Sequence, residues 1–111
     1  MPRYNKQDKG FTTMDQNEAL TLVRRYKDAI ASDFDAYKVY LYGSYSKGTA
    51  HIGSDIDVAV VVPKVNGDWL TVSACLWSKV WDISVDIEPV LIEECHPSPL
   101  YEDVLQTGIA V

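Results

Sequence analysis

The sequence predicts an α+β fold in which a small mixed sheet of three strands is packed by helices. Three β-prone runs, at 37–42, 56–62 and 84–91, define the strands. A helical pattern precedes the first run, and a second helical pattern at 69–81 lies between the other two. The run at 56–62 is apolar at every position except Asp57, which is typical of a central strand covered on both faces.

Length, composition and charge place the chain among single-domain globular proteins. A chain of 111 residues can bury one core but has no room for a second lobe, so we expect a flexible tail over 1–11 and one domain over 12–111. No apolar run is long enough to cross a membrane, and the N-terminus lacks the apolar centre of a signal peptide. The net charge of −6 argues against a nucleic-acid strand as the main partner.

The cysteines and histidines are predicted to have structural or surface roles. Cys75 and Cys95 have neither a metal-ligand spacing nor a CxxC motif, so reduced thiols in a cytoplasmic protein are expected. His51 and His96 are expected to be loop residues.

The helices can be bounded from caps and periodicity. The first is predicted to begin near Thr13, because Thr13 and Gln16 have the spacing of a capping box. Its buried stripe is predicted at Ala19, Leu22, Val23, Tyr26 and Ile30. Asp68 is placed to cap the helix at 69–81, and a short helix over 99–106 is followed by an apolar tail.

The chemistry of the chain is concentrated at 41–62. Asp55 and Asp57 stand at the start of the second strand, on one face and roughly 6.6 Å apart along the strand. Two carboxylates held this close repel each other, and a divalent cation such as Mg²⁺ would relieve the repulsion. Gly43 and Ser44 form a turn after the first strand, where a short helix could offer backbone amides to phosphate groups.

These positions also predict the strand directions. Gly43 closes the first strand and Asp55 opens the second, so the two strands must run antiparallel to bring these residues together. Asp86 lies near the start of the third strand, which should therefore run parallel to the second, with the helix at 69–81 as a right-handed crossover. The predicted order is 1-2-3. Pro89 places the third strand at an edge, and Glu88 is expected to be a strand-end charge on the same face as Asp86.

The motif resembles that of a known enzyme superfamily. Gly43-Ser44, Gly48 and Ser54-Asp55-Ile56-Asp57 resemble the GSxxxG…SDxD signature of the DNA polymerase β-like nucleotidyltransferases, in particular the minimal single-domain members. The resemblance is tight over the motif and looser over the rest of the chain. The chain departs from the pattern at position 47, where lysine replaces the usual arginine and loses its bidentate fork.

The resemblance implies a site, cofactors and a reaction. Asp55, Asp57 and Asp86 would be the catalytic and metal-binding residues for two Mg²⁺ ions, with Asp86 as the best candidate for the general base. The residues implied to bind the nucleotide are Gly43, Ser44, Lys47 and Ser54. The substrate would be ATP, with in-line attack at the α-phosphorus and release of pyrophosphate.

Three hypotheses differ in what receives the nucleotide, if anything does. Minimal members typically pair with a small helical HEPN-type protein in toxin–antitoxin modules, so the leading hypothesis is an antitoxin that transfers AMP from ATP to its partner. The acidic surface also suits a catalytically silent module that neutralises a basic toxin by contact. A third hypothesis is a homodimeric nucleotidyltransferase that acts on a small molecule.

Overall fold

A computed structural model describes residues 14–111, which form one mixed sheet with helices on both faces. The predicted tail at 1–11 and the first residues of the predicted domain lie outside this range. The helices are α1 (Gln16–Ala29), α2 (Ser44–Lys47), α3 (Trp69–Ser78), α4 (Val80–Ile83) and α5 (Pro99–Thr107). The strands are β1 (Lys38–Tyr42), β2 (Ile56–Val62), β3 (Ile87–Glu93) and β4 (Ile109–Ala110). None of the helices within 14–111 combines the length and apolarity needed to span a membrane.

The sheet has the predicted central topology and one additional strand. Its order is β3-β2-β1-β4, with β1 antiparallel to β2 and β2 parallel to β3, so the predicted 1-2-3 arrangement is confirmed. The prediction of three strands is wrong by one, because the apolar tail pairs with β1 opposite Tyr40 and Leu41. This strand has only two residues, which is too short to show the alternation that identifies a strand.

Apolar side chains cover both faces of β2, as its unbroken run predicts. One face packs against α1, α2 and α3, and the other packs against α5. The first layer is centred on Val23, Tyr26, Leu41, Val58, Val60 and Leu76. The second layer is Ala59, Val61, Ile92 and Val104. Asp57 is the polar residue at the start of an otherwise buried strand, so its backbone is held rigidly while its side chain meets solvent.

A capping box starts α1, but it involves different residues from those predicted. Asp15 accepts a hydrogen bond from the Glu18 N–H at 2.8 Å, and the Glu18 carboxylate accepts the Asp15 N–H at 3.0 Å. Gln16 is the first residue of the helix, and its amide side chain donates instead to the Tyr45 carbonyl at 2.9 Å. Thr13 lies outside the described residues.

The start of β3 is later than predicted, and the crossover helix is divided. The predicted helix at 69–81 is two helices, α3 and α4, that meet at Lys79. Ser84 ends α4, and its hydroxyl accepts the Asp86 N–H at 3.2 Å, so 84–86 form a turn and the strand begins at Ile87. Asp86 therefore stands just before the strand, while Glu88 lies within it.

Tyr26 provides a test of how the first layer is held together. Its side chain is fully buried and its hydroxyl donates to the Leu76 carbonyl at 2.7 Å, which joins α1 to α3. Burial raises the pKa of the Tyr26 hydroxyl well above its usual value. Replacing Tyr26 with phenylalanine removes this bond, while the Leu76 carbonyl still accepts the Lys79 N–H at 3.3 Å. We therefore expect urea unfolding to show a loss of about 1 kcal/mol. A matched Tyr101→Phe variant, at a partly exposed position, should change stability much less; equal losses would contradict the assignment.

Candidate active site

A glycine turn joins β1 to α2 and shapes one wall of the site. Gly43 has φ 73°, a left-handed conformation that favours glycine. A Cβ at this position would overlap the Asp57 carboxylate, lying 3.1 Å from its Cγ atom. The absence of a side chain at residue 43 therefore lets the Asp57 carboxylate lie directly against the backbone of the turn.

Helix α2 begins at Ser44, immediately after this turn. The Lys47 N–H donates to the Gly43 carbonyl at 3.1 Å, which closes the first turn of the helix. The amides at the start of a helix have no acceptor within it. The start of α2 lies close to Asp57, because the Asp57 carboxylate is packed against Gly43.

Three acidic residues lie on neighbouring strands beside the turn. Asp55 and Asp57 come from the start of β2, and Glu88 is the residue of β3 in register with Asp57. Burial and the nearby charge of Asp55 raise the pKa of Asp57. A hydrogen bond with Asp55 is the main reason that the pKa of Glu88 is raised, followed by burial and the charges of both aspartates. The site thus concentrates negative charge that nothing in the described protein neutralises.

The structure places Asp86 at the edge of this cluster. Its carbonyl accepts the Ile56 N–H at 2.8 Å, so its backbone is level with Asp55, and its side chain is exposed. Burial, followed by the charges of Asp86 and Glu18, raises the pKa of Tyr45. Asp86 is not among the groups that raise the pKa of Asp57 or of Glu88. The role of Asp86 as the third metal ligand stays a prediction.

Glu88 is a further acidic residue beside the two aspartates. It is exposed, like Asp86, and it shares a face of the strand with Asp86 because the two are separated by two positions. The interpretation of Glu88 as a strand-end charge stays a prediction.

The other predicted nucleotide-binding residues make contacts that organise loops. The Ser54 hydroxyl accepts the His51 N–H at 2.9 Å, and the Ser54 N–H donates to the His51 carbonyl at 2.9 Å, which tightens the loop before Asp55. Lys47 lies 3.7 Å from a carboxylate oxygen of Asp103 on α5, with both side chains 44% exposed. Their predicted contacts with a nucleotide stay predictions.

Two tyrosines flank the turn and have different surroundings. Tyr42 faces the carboxylates, and burial, followed by the charges of Asp57, Glu88 and Asp103, raises its pKa to about 12. Tyr45 is 5% exposed and packs in the core beneath α1. Tyr45 is therefore a packing residue, whereas Tyr42 is part of the site.

A cleft of about 380 Å³ lies beyond the end of β2 that is opposite to the aspartates, between Phe34, Pro63 and Val72. This cleft is far from Asp55, Asp57 and the Gly43 turn, so it is not part of the candidate active site.

Comparisons with solved structures identify proteins of the same fold. A candidate nucleotidyltransferase from Sulfolobus solfataricus is 19% identical, with 99% of this chain and 89% of that chain covered and a TM-score of 0.63. A chain from a toxin–antitoxin complex with AMP-PNP is 24% identical, covering 87% of this chain and 72% of its own, with a TM-score of 0.55. A chain from the complex of tri-AMPylated Shewanella oneidensis HEPN toxin with MNT antitoxin is 18% identical, covering 83% and 70% of the two chains, with a TM-score of 0.56.

The family follows from the sequence profile rather than from these distant structures. No curated protein matches the chain significantly. The profile of the nucleotidyltransferase domain matches residues 23–109, which contain the glycine turn, all three acidic residues of the cluster and Asp86. The chain belongs to the nucleotidyltransferase domain family.

Proposed function

We propose that the chain transfers AMP from ATP to a partner protein, a HEPN-type toxin, and so acts as an antitoxin. The observation that carries this proposal is the position of the Asp57 carboxylate against the Gly43 turn, with Asp55 two residues before it and Glu88 in register with it on β3. Such an arrangement would offer carboxylate ligands to a cation beside backbone donors for phosphate, which are the two requirements of nucleotidyl transfer.

The residues of the cluster fit Mg²⁺. All the donors are carboxylate oxygens, which this ion prefers, and the partial exposure of the site leaves space for its retained waters. Asp55 and Asp57 would hold the metal together with a third carboxylate from the start of β3. When bound, the ions would neutralise the triphosphate and lower the pKa of the attacking hydroxyl.

The chain's own groups would position the nucleotide. The amides after Gly43 would donate to the β- and γ-phosphates, with the Ser44 hydroxyl beside them. Lys47 can reach a phosphate by leaving Asp103, because an ion pair between exposed side chains contributes at most about 1 kcal/mol. The rigid start of β2 would hold Asp55 and Asp57 in one geometry throughout the reaction.

The partner and the transferred group are suggested by the comparisons. One similar chain comes from a complex that contains AMP-PNP, and another from a complex whose HEPN toxin is AMPylated. We infer the same donor and the same class of acceptor for this chain, with a tyrosine of the partner as the attacking group.

The assay is incubation of the protein with ATP, Mg²⁺ and the protein encoded by the neighbouring gene, followed by mass spectrometry of that neighbour. The proposal predicts addition of AMP to a tyrosine. An unmodified neighbour, with both proteins folded, would count against it. If an Asp57→Asn variant still neutralised the neighbour's toxicity, contact alone would explain the inhibition.

The third carboxylate can be identified with two matched variants in the same assay. The prediction from the sequence is that Asp86→Asn removes a metal ligand. Glu88 is the competing candidate, because it is in register with Asp57, and it is tested by Glu88→Gln. We expect the variant that removes the true ligand to lower the rate about 100-fold or more and the other to lower it less than about 10-fold. Normal rates in both variants would contradict a third carboxylate from β3.

A further inference from the structure

A second group of metal-ligating side chains lies at the opposite end of β3. Glu93 is the last residue of the strand, and Cys95 and His96 follow in the turn. One carboxylate oxygen, one sulfur and one ring nitrogen of these residues all lie within 4.8 Å of one another. The group contains only one cysteine, so the spacing between Cys75 and Cys95 does not indicate it. Its sequence pattern is Glu93-x-Cys95-His96, with a carboxylate, a thiol and an imidazole as the possible ligands.

The separations of the donor atoms match those around one small metal ion. Cys95 Sγ lies 3.5 Å from His96 Nδ1, Glu93 Oε1 lies 3.1 Å from the same nitrogen, and Glu93 Oε2 lies 3.9 Å from the sulfur. Bond lengths of Zn²⁺ to sulfur, nitrogen and oxygen place pairs of tetrahedral ligands about 3.4–3.6 Å apart. Only small rotations of these side chains would therefore be needed to bind the ion.

The backbone of the turn is held in place before any ion binds. The Glu94 N–H donates to the Val62 carbonyl at 2.8 Å, and the Cys95 N–H donates to the Pro63 carbonyl at 3.2 Å. The Val65 N–H donates to Glu93 Oε2 at 2.7 Å, which orients the carboxylate. Hydrogen bonds that orient a ligand in this way raise the affinity for the metal, because the side chain loses less conformational freedom when the metal binds.

The neighbouring glutamate makes different contacts. Glu94 Oε2 lies 3.5 Å from the Lys38 ammonium and accepts the Tyr101 hydroxyl at 3.3 Å. The Glu94 carboxylate therefore contacts residues of β1 and α5. The possible metal ligands are Glu93, Cys95 and His96. Three protein ligands leave the fourth position of a tetrahedral ion for water.

We propose that Glu93, Cys95 and His96 bind a single Zn²⁺ ion. The thiol gives up its proton when the zinc–sulfur bond forms, so the two anionic ligands balance the charge of the ion. The thiolate and imidazole select this borderline ion over Mg²⁺, which takes oxygen ligands. The site lies five residues along β3 from Glu88, roughly 16 Å away, and does not depend on the proposed function.

Cobalt provides a spectroscopic probe of this site. The full chain, prepared with a reducing agent that does not bind metals, is titrated with Co²⁺ in excess Mg²⁺, which occupies sites made of oxygen ligands. We expect one Co²⁺ per chain, with the near-ultraviolet absorption that thiolate–cobalt bonds produce, and displacement by Zn²⁺. Absence of that absorption would overturn the proposal.

The chain supplies a matched control for the thiol. Cys95→Ser should abolish the absorption and weaken Zn²⁺ binding about 100-fold, whereas Cys75→Ser, at the half-buried cysteine on α3, should leave both unchanged. His96→Ala should weaken Zn²⁺ binding by a similar factor. Cys95 and His96 are exposed, so circular dichroism should show that these variants fold. Equal absorption in Cys95→Ser and the unaltered protein would show that the sulfur is not a ligand.

Discussion

Replacing Asp57 with asparagine is expected to abolish AMP transfer and, at the same time, to stabilise the metal-free protein. The loss of activity should be about 1000-fold, because a neutral amide cannot replace a carboxylate that holds a cation beside the triphosphate. The gain in the free energy of unfolding should be about 0.5–1 kcal/mol, typical of removing a like-charge contact on a strand. If Asp57 had only a packing role, the same substitution would lower the free energy of unfolding.

The gain in stability has a defined dependence on pH. Because burial and Asp55 raise the pKa of Asp57, the folded state favours the protonated carboxyl. The stability that this proton supplies is fully present below the ordinary pKa of 3.8 and is lost as the pH rises through the folded value. The variant and the unaltered protein should therefore have similar melting temperatures in acid and diverge toward neutral pH.

Thermal melts in a chelator across this pH range test the expectation. Asp35→Asn is a matched control, because Asp35 is an exposed aspartate away from the cluster. A melting temperature of Asp57→Asn below that of the unaltered protein at neutral pH would contradict an unneutralised carboxylate cluster.

Replacing Gly43 with alanine is expected to damage both the fold and the reaction. The backbone at this residue, with φ 73° and ψ −147°, is a conformation that favours glycine and costs other residues about 1–3 kcal/mol. The new methyl group would also displace the Asp57 carboxylate. We expect a loss of about 2–3 kcal/mol in urea unfolding and at least a 100-fold fall in AMP transfer.

Gly48 is a comparison residue that has a positive φ but no neighbour in the site. Its φ of 75° and ψ of 19° lie in the left-handed helical region, whereas Gly43 has a ψ of −147°, and a Cβ at Gly48 would meet nothing within 4 Å. Gly48→Ala should therefore lose about 1 kcal/mol of stability and keep AMP transfer within a few-fold. If the two variants lost the same activity, the contact between residue 43 and Asp57 would have no role in catalysis.

The strand order and directions could be predicted because they follow from where the polar residues stand. Gly43 at the end of one strand and Asp55 at the start of the next can meet only across an antiparallel pair, and the structure confirms this pairing. The apolar run of β2 likewise predicted a strand buried on both faces.

The boundaries could not be predicted where local hydrogen bonds override the pattern. Val85 has β propensity and alternates with the polar residues on either side, but the contact between the Ser84 hydroxyl and the Asp86 N–H turns the chain before β3 begins. This delay moves Asp86 out of the strand and leaves Glu88 in register with Asp57. The first residue of β3 depends on where the turn at 84–86 ends, and the periodicity of the sequence does not predict that boundary.

The group at Glu93, Cys95 and His96 was missed for a different reason. Its ligand atoms converge because the backbone of 94–96 is tied to the ends of β2 and β3, and nothing in the sequence shows those ties. The spacing of the two cysteines does not indicate a metal site, because only Cys95 belongs to this group.

The position of the transferred label tests the central claim most directly, because it reports which phosphorus is attacked. The protein, Mg²⁺ and the neighbouring gene's product are incubated in parallel with ATP labelled at the α-phosphate and ATP labelled at the γ-phosphate. A nucleotidyltransferase site predicts that only the α-label reaches the acceptor and that pyrophosphate is released. Label arriving from the γ-phosphate, or equal α-label transfer by Asp57→Asn, would contradict the account.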